Sequence, residues 1–169
     1  YNAAPYIAHS IKSILNQTYS DFDLFIYDDC STDDTAVIVE NFSDTRINYK
    51  KNEKNLGIAK TLNRGLTELL LNYDYIARMD ADDWAYPGRF KTQLDYLNDH
   101  QDVEMCGTQV FNTGGAHGKQ HALLLDQAVL LKTECAHPFR PGTPHKMQVI
   151  GVIHPTPTCL LHTSPSPRH

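Results

Sequence analysis

No stretch of this chain approaches the about 18 to 20 consecutive apolar residues that a membrane-spanning helix needs, so the sequence predicts a soluble domain. Basic residues are in the minority. Fifteen Lys and Arg against 20 Asp and Glu leave a net charge of -5, which argues against a nucleic-acid footprint but not against a metal-chelated phosphate. The four cysteines, Cys30, Cys106, Cys135 and Cys159, form no C-x-x-C pair. Neither a zinc ribbon nor a disulfide scaffold is indicated, and a reducing compartment fits. There is no internal repeat, initiator Met or signal peptide, and the opening Tyr1-Asn2 reads as the middle of a longer sequence. At 169 residues the chain is long enough for one domain with its own core.

What is present is unevenly distributed. Of 16 aromatic residues 15 precede residue 113, whereas 7 of 9 His and 7 of 9 Pro follow it, and only Asp126 and Glu134 of the acids do. Residues 1–112 alternate short apolar runs with amphipathic stretches, the pattern of an α/β layer fold with a mostly parallel sheet. Helical spacing over residues 5–15 aligns Ile7, Ile11, Ile14 and Leu15. A buried strand is expected at 24–27, then a helix carrying Val37, Ile38 and Phe42, capped by the hydroxyls of Ser31 and Thr32 with Asp33 and Asp34 in its first turn. A short strand at 47–49 precedes a helix through Leu62, Leu66, Leu69 and Leu70. A strand at 75–79 precedes a helix from Pro87 with Phe90, Leu94 and Leu97 inward, and a last strand is expected near 103–110.

Two of these strands run into acids, at Asp28-Asp29 and at Asp80-Ala81-Asp82-Asp83. Open α/β sheets bind ligands beyond the carboxyl ends of their strands, so the two clusters are candidates for one crevice. Grouped carboxylates repel unless a cation or hydrogen-bond donors offset the repulsion, which suggests a divalent metal or a polar ligand. An EF-hand loop is excluded, because counting from Asp80 its fifth and sixth positions hold Trp84 and Ala85. For Asp28-Asp29 alone, a turn or helix cap is an equally good reading.

Four ordered motifs carry a resemblance: Y-N-A-A-P-Y-I, then S-I-L-N-Q-T-Y-S-D-F-D-L-F-I-Y-D-D-C-S-T-D-D-T, then N-L-G-I-A-K-T-L-N-R-G-L, then Y-I-A-R-M-D-A-D-D. Over residues 1 to about 112 the chain resembles the family 2 glycosyltransferases of GT-A fold. The resemblance implies an incomplete, Rossmann-like α/β fold that binds a nucleotide-diphosphate sugar. It implies a hexosyltransferase that transfers the sugar, with inversion, to a glycan or lipid-linked acceptor in polysaccharide biosynthesis. By resemblance Tyr1 and Asn2 end a first strand, Asp29 reads the nucleotide base and Asp28 supports the same turn. Asp80 and Asp82 match the D-x-D pair that holds Mg or Mn, with Asp82 the direct ligand and Asp80 facing the ribose or the metal shell. Lys60 and Asn63 lie on the nucleotide-side helix. The implied location is cytoplasmic, at the inner face of a bacterial membrane, with peripheral association in the full-length protein.

An inverting transferase also needs a carboxylate base. Ile153-His154-Pro155-Thr156 resembles the family's H-P-T element, and no acid follows it before the last residue, His169. The catalytic base is therefore expected beyond His169, and turnover by this chain is expected to be small. A non-catalytic nucleotide-sugar-binding module is the alternative. A Mg-dependent signalling receiver is a weaker one, because its acid pair, acceptor Asp and Lys follow an order not reproduced here. Trp84 is expected to plug the core rather than line a sugar pocket, Arg89 to be solvated, and Cys30 to be buried and inert. The irregularly spaced His residues after 112 suggest no metal site. Residues 113–156 read as a poorly patterned start of an acceptor-side region. Residues 157–169 read as an unpacked, non-native tail, the last eleven resembling a translated sequencing adaptor.

Overall fold

A computed structural model describes residues 1–108, 110–111, 122–123, 130–132 and 147–153. In chain order the elements are α1 (Ile7–Leu15), β1 (Phe22–Asp28), α2 (Thr35–Glu40), β2 (Ile47–Lys51), α3 (Ile58–Leu69), β3 (Tyr75–Asp80), α4 (Arg89–Asp99), β4 (Met105–Cys106), β5 (Val110–Phe111), β6 (Ala122–Leu123), β7 (Leu130–Lys132) and β8 (Met147–Ile153). The main sheet has the order β2-β1-β8-β3-β7-β4, and β5 pairs with β6 separately. β2, β1, β8 and β3 are mutually parallel, and β7 runs antiparallel to β3 and β4.

Side-chain alternation divides the core into two layers. Phe22, Leu24, Ile26, Tyr75, Ala77, Met79, Met147 and Val149 pack with Ile7, Ile11 and Ile14 of α1, Val39 of α2, and Phe90, Leu94 and Leu97 of α4. Phe25, Tyr27 and Ile76 pack on the other face against Leu69, with Ile58, Leu62 and Leu66 of α3 beside them. β1 is covered on both faces, which is why its sequence is a continuous apolar run rather than an alternating one.

Several boundaries differ from the sequence reading. α1 begins at Ile7 because residues 4–6 form a turn in which the Ala3 carbonyl accepts from both Tyr6 and Ile7. α2 begins only at Thr35 and has no hydroxyl cap, since Ser31 and Thr32 bond to Asn2, and it is the Asp33 carboxylate that accepts from the Thr35 amide and hydroxyl. The strand expected near 103–110 is two separate pieces, β4 and β5, in different sheets. Between β1 and β3 lies β8, a strand drawn from the segment whose sequence pattern is weak. Arg89 is buried at 7% exposure, not solvated, and Trp84 is 48% exposed, not a core plug. Cys30 is half-buried. Among the described residues no helix is long and apolar enough to cross a membrane. His154-Pro155-Thr156 and residues 157–169 lie outside the described residues, and so does the catalytic base expected beyond His169.

Candidate functional site

The two acidic clusters lie on the same edge of the sheet. β1 and β3 are both parallel to β8 and flank it, with Asp28 in register with Ile153 and Asp80 with Val152. Two inter-strand spacings separate their backbones by roughly 10 Å at this edge. From β1 the chain passes through α2 to β2 on one side and then through α3 to β3 on the other. The site therefore occupies a switch point of the topology, where open α/β sheets leave a crevice. The backbone nitrogen of Tyr1 lies near Asp28, Asp29, Asp33 and Asp82 together.

Asp28 organises the turn after β1. One carboxylate oxygen accepts from the Ser31 amide at 2.9 Å and hydroxyl at 2.5 Å, and the other accepts from the Tyr49 hydroxyl at 2.6 Å. The turn in turn holds residues 2–4. Ser31 Oγ accepts from the Asn2 amide, Thr35 Oγ1 from Ala3 and Asp33 Oδ2 from Ala4, while Asn2 Oδ1 accepts from the amide and hydroxyl of Thr32. Tyr1 and Asn2 are not strand residues here, and Asn2 has φ 56°, a left-handed conformation that Asn tolerates better than most residues.

Asp29 points to the opposite face, toward α3. It is fully buried, and its oxygens accept from Asn52 Nδ2, the Leu56 amide, Thr61 Oγ1 and the Gly57 amide at 2.8 to 3.0 Å. Burial raises its carboxyl, but these donors outweigh burial and hold it below the usual range. Asp29 thus fixes the entry to α3, whose preceding Gly57 has φ 84°. The sequence reading missed Asn52 and Thr61, although the motif N-L-G-I-A-K-T beside an Asp-Asp strand end contains all of Asp29's partners except Asn52. Lys60 and Asn63 are exposed, one turn apart on this helix.

The second cluster is electrostatically differentiated. Asp80 receives two contacts from Arg78 Nη2, at 2.8 and 3.1 Å, whereas Asp82 is exposed. Asp83 is half-buried, and its carboxyl is pushed up to about 6, first by burial and then by Asp80 and Asp82. Under this loop Arg89 donates to the Arg78 carbonyl at 2.9 Å and to Gln93 Oε1 at 3.1 Å. Burial lowers its guanidinium to about 10, partly opposed by Asp83. No cluster of three or more His, Cys, Asp or Glu capable of holding a metal occurs among the described residues. Instead the donors are hard carboxylate oxygens, one exposed and one already shared with an arginine. That set suits Mg or Mn carried on a diphosphate, an ion that takes one or two carboxylates and completes its shell with phosphate and water.

The family model for glycosyl transferase family 2 matches residues 1–158. EpsE of Bacillus subtilis (strain 168), named as a glycosyltransferase, is 37% identical over 123 residues, covering 70% of this chain and 44% of its own. The UDP-Glc:alpha-D-GlcNAc-diphosphoundecaprenol beta-1,3-glucosyltransferase WfgD of Escherichia coli is 33% identical over 120 residues, covering 70% of this chain and 47% of its own. The crystal structure of S. aureus TarS residues 1–349 superimposes with a TM-score of 0.65 at 20% identity, covering 78% of this chain and 44% of TarS. The architecture is therefore the α/β GT-A fold with a parallel sheet. The chain spans less than half the length of each of these proteins.

Proposed function

The chain belongs to glycosyl transferase family 2, and from that membership we propose that its crevice binds a nucleotide-diphosphate sugar with Mg or Mn and passes the sugar, with inversion, to a glycan or lipid-linked acceptor. The observation that carries this reading is the parallel placement of Asp28 and Asp80 on either side of β8, which gathers two acidic loops on one sheet edge. The nucleotide lies on the Asp29 and α3 side, near Lys60 and Asn63, with the backbone of residues 1–3 closing the crevice between the two loops. Asp82, the exposed acid, holds the divalent ion, and Asp80 faces the ribose or completes the metal shell. When bound, the ion supplies charge neutralisation for the departing diphosphate.

The protein's own contribution is positional. Asp28 and Asp29 spend their oxygens on Ser31, Tyr49, Asn52, Leu56, Gly57 and Thr61, so their part is to fix the two turns that the nucleotide contacts. A loop fixed before binding loses less entropy when the ligand arrives. Base recognition then passes from the Asp29 side chain to the backbone it orders. WfgD's name specifies UDP-glucose and a diphosphoundecaprenol acceptor. That makes UDP the first nucleotide to test, and a lipid-linked acceptor would bring the protein to a membrane surface.

Calorimetric titration of UDP with and without Mn tests the assignment. Mn should tighten UDP binding to the wild type, and Asp82→Ala should abolish the gain while leaving the metal-free affinity unchanged. Equal metal-dependent affinity in both proteins would defeat it.

A further inference from the structure

We propose that Trp84, Tyr86 and His9 form a stacking platform for a pyranose ring at the reacting end of this crevice, a role that deepens the reading above and rests on it. Trp84 directly follows Asp82 and Asp83 and is 48% exposed, and Tyr86 is 60% exposed. Their rings meet edge to face at a centroid distance of 4.4 Å, and His9 of α1 lies 6.4 Å from the indole at an interplanar angle of 30°.

An aromatic pair left this open to water forgoes the burial that ordinarily favours large rings, and burial is the usual fate of a tryptophan. Here the ring is held in place from below. The Ala85 amide donates to Ser13 Oγ at 3.1 Å, the Tyr86 carbonyl accepts from the buried Gln17 side chain at 2.8 Å, and Phe90 N donates to Gln17 Oε1. The backbone beneath the patch is thus anchored to α1, while the rings above it are exposed.

Position and chemistry together select the ligand. Asp29 and α3 lie on one face of the sheet, Trp84 and α1 on the other, and the Asp80–Asp83 loop lies at the edge between them. A nucleotide on the α3 side with its diphosphate at Asp82 directs the attached sugar toward the α1 side. A pyranose offers a face of C–H groups, weakly positive, to the negative face of an indole, and a rim of hydroxyls that donate to carboxylates. The platform has both parts, since Asp82 and Asp83 precede the ring in sequence. The donor's sugar and the acceptor's terminal sugar share this chemistry.

Trp84 is the chain's single tryptophan, so its emission reports on this site alone. The full chain is titrated with methyl β-glucopyranoside, with glycerol as a polyol lacking a ring face, and with UDP or UDP-glucose in the presence of Mn. A saturable blue shift with the glucoside or with UDP-glucose, and none with glycerol, is expected. In Trp84→Ala, followed by calorimetry and ligand-observed NMR, pyranose binding should weaken by about tenfold, Trp84→Phe should recover most of the loss, and UDP affinity should be unchanged. A loss confined to UDP-glucose identifies the donor's ring, and a loss confined to the free glucoside identifies the acceptor's. Emission unmoved by either sugar while UDP and Mn still bind would overturn the platform and leave the nucleotide site standing. Failure of UDP itself to bind would remove both.

Discussion

Asp28 and Asp80 end parallel strands that pair with opposite sides of the same neighbour, one in register with Ile153 and the other with Val152. Everything proposed for the site depends on that shared neighbour, because it sets two acid-bearing loops side by side without β1 and β3 pairing with each other. The two acids at the turn after β1 then divide their work by face. Asp28 orders the turn that holds residues 2–4, and Asp29 orders the entry to α3.

Asp29 should be among the costliest single side chains to remove. Asp29→Ala leaves the Asn52, Leu56, Gly57 and Thr61 donors facing a void, a loss of about 3 kcal/mol in urea unfolding. Asp82→Ala, an exposed position, should fall within about 0.5 kcal/mol of wild type in the same experiment.

The acid limb of stability follows from the same groups. Hydrogen bonds hold the Asp29 carboxyl below its ordinary value, and Arg46 holds Asp44 down at about 2. A carboxyl lowered in the folded state contributes stability that is fully present above its unfolded value near 3.8 and is lost as pH falls through the folded value. Wild type should therefore lose stability between about pH 4 and pH 2, and Asp29→Asn should show a shallower slope there. Denaturant midpoints measured across that range check it, and identical slopes would contradict it.

Helix α3 sits close against Tyr27 through Gly65. A Cβ at this position would lie 2.9 Å from Tyr27 Cε2, and Tyr27 is fully buried with its hydroxyl on Glu68. Gly65→Ala should cost about 1 to 3 kcal/mol through overpacking, although alanine is the better helix former. Gly88→Ala, whose nearest neighbour is 4.0 Å away, should be neutral, and thermal melts of the two variants separate the effects.

Arg89 should not tolerate lysine. Its guanidinium serves Gln93 through Nε and the Arg78 carbonyl through Nη2, two directions that a single ammonium cannot reproduce. Arg89→Lys is expected to lose about 2 kcal/mol in urea unfolding.

The parts of this structure legible in the sequence were those with a local signature. β1 and β3 announce themselves as apolar runs ending in acids, and α3 by the spacing of Leu62, Leu66 and Leu69 after Asn55-Leu56-Gly57. β8 has no such signature, because its place is set by pairing with strands more than 60 residues upstream and leaves little local pattern. Arg89 and Trp84 exchanged their expected environments for a related reason. A helix-start arginine is ordinarily solvated, but here the Arg78 carbonyl and Gln93 give it buried partners. The indole, anchored through its neighbours Ala85 and Tyr86, is directed outward. The candidate acids were legible as a cluster, whereas the division between occupied Asp29 and exposed Asp82 required the partners at 52, 56, 57 and 61.

In the proposed site both acidic loops face one metal-nucleotide. Paramagnetic broadening of backbone amide signals by Mn in the presence of UDP measures it directly, because relaxation falls steeply with distance from the ion. Signals from residues 1–3, 29–32 and 80–84 should broaden together at substoichiometric Mn, and Asp82→Ala should restore all three groups at once. Broadening confined to one loop, or spread evenly over the surface acids, would contradict a shared site.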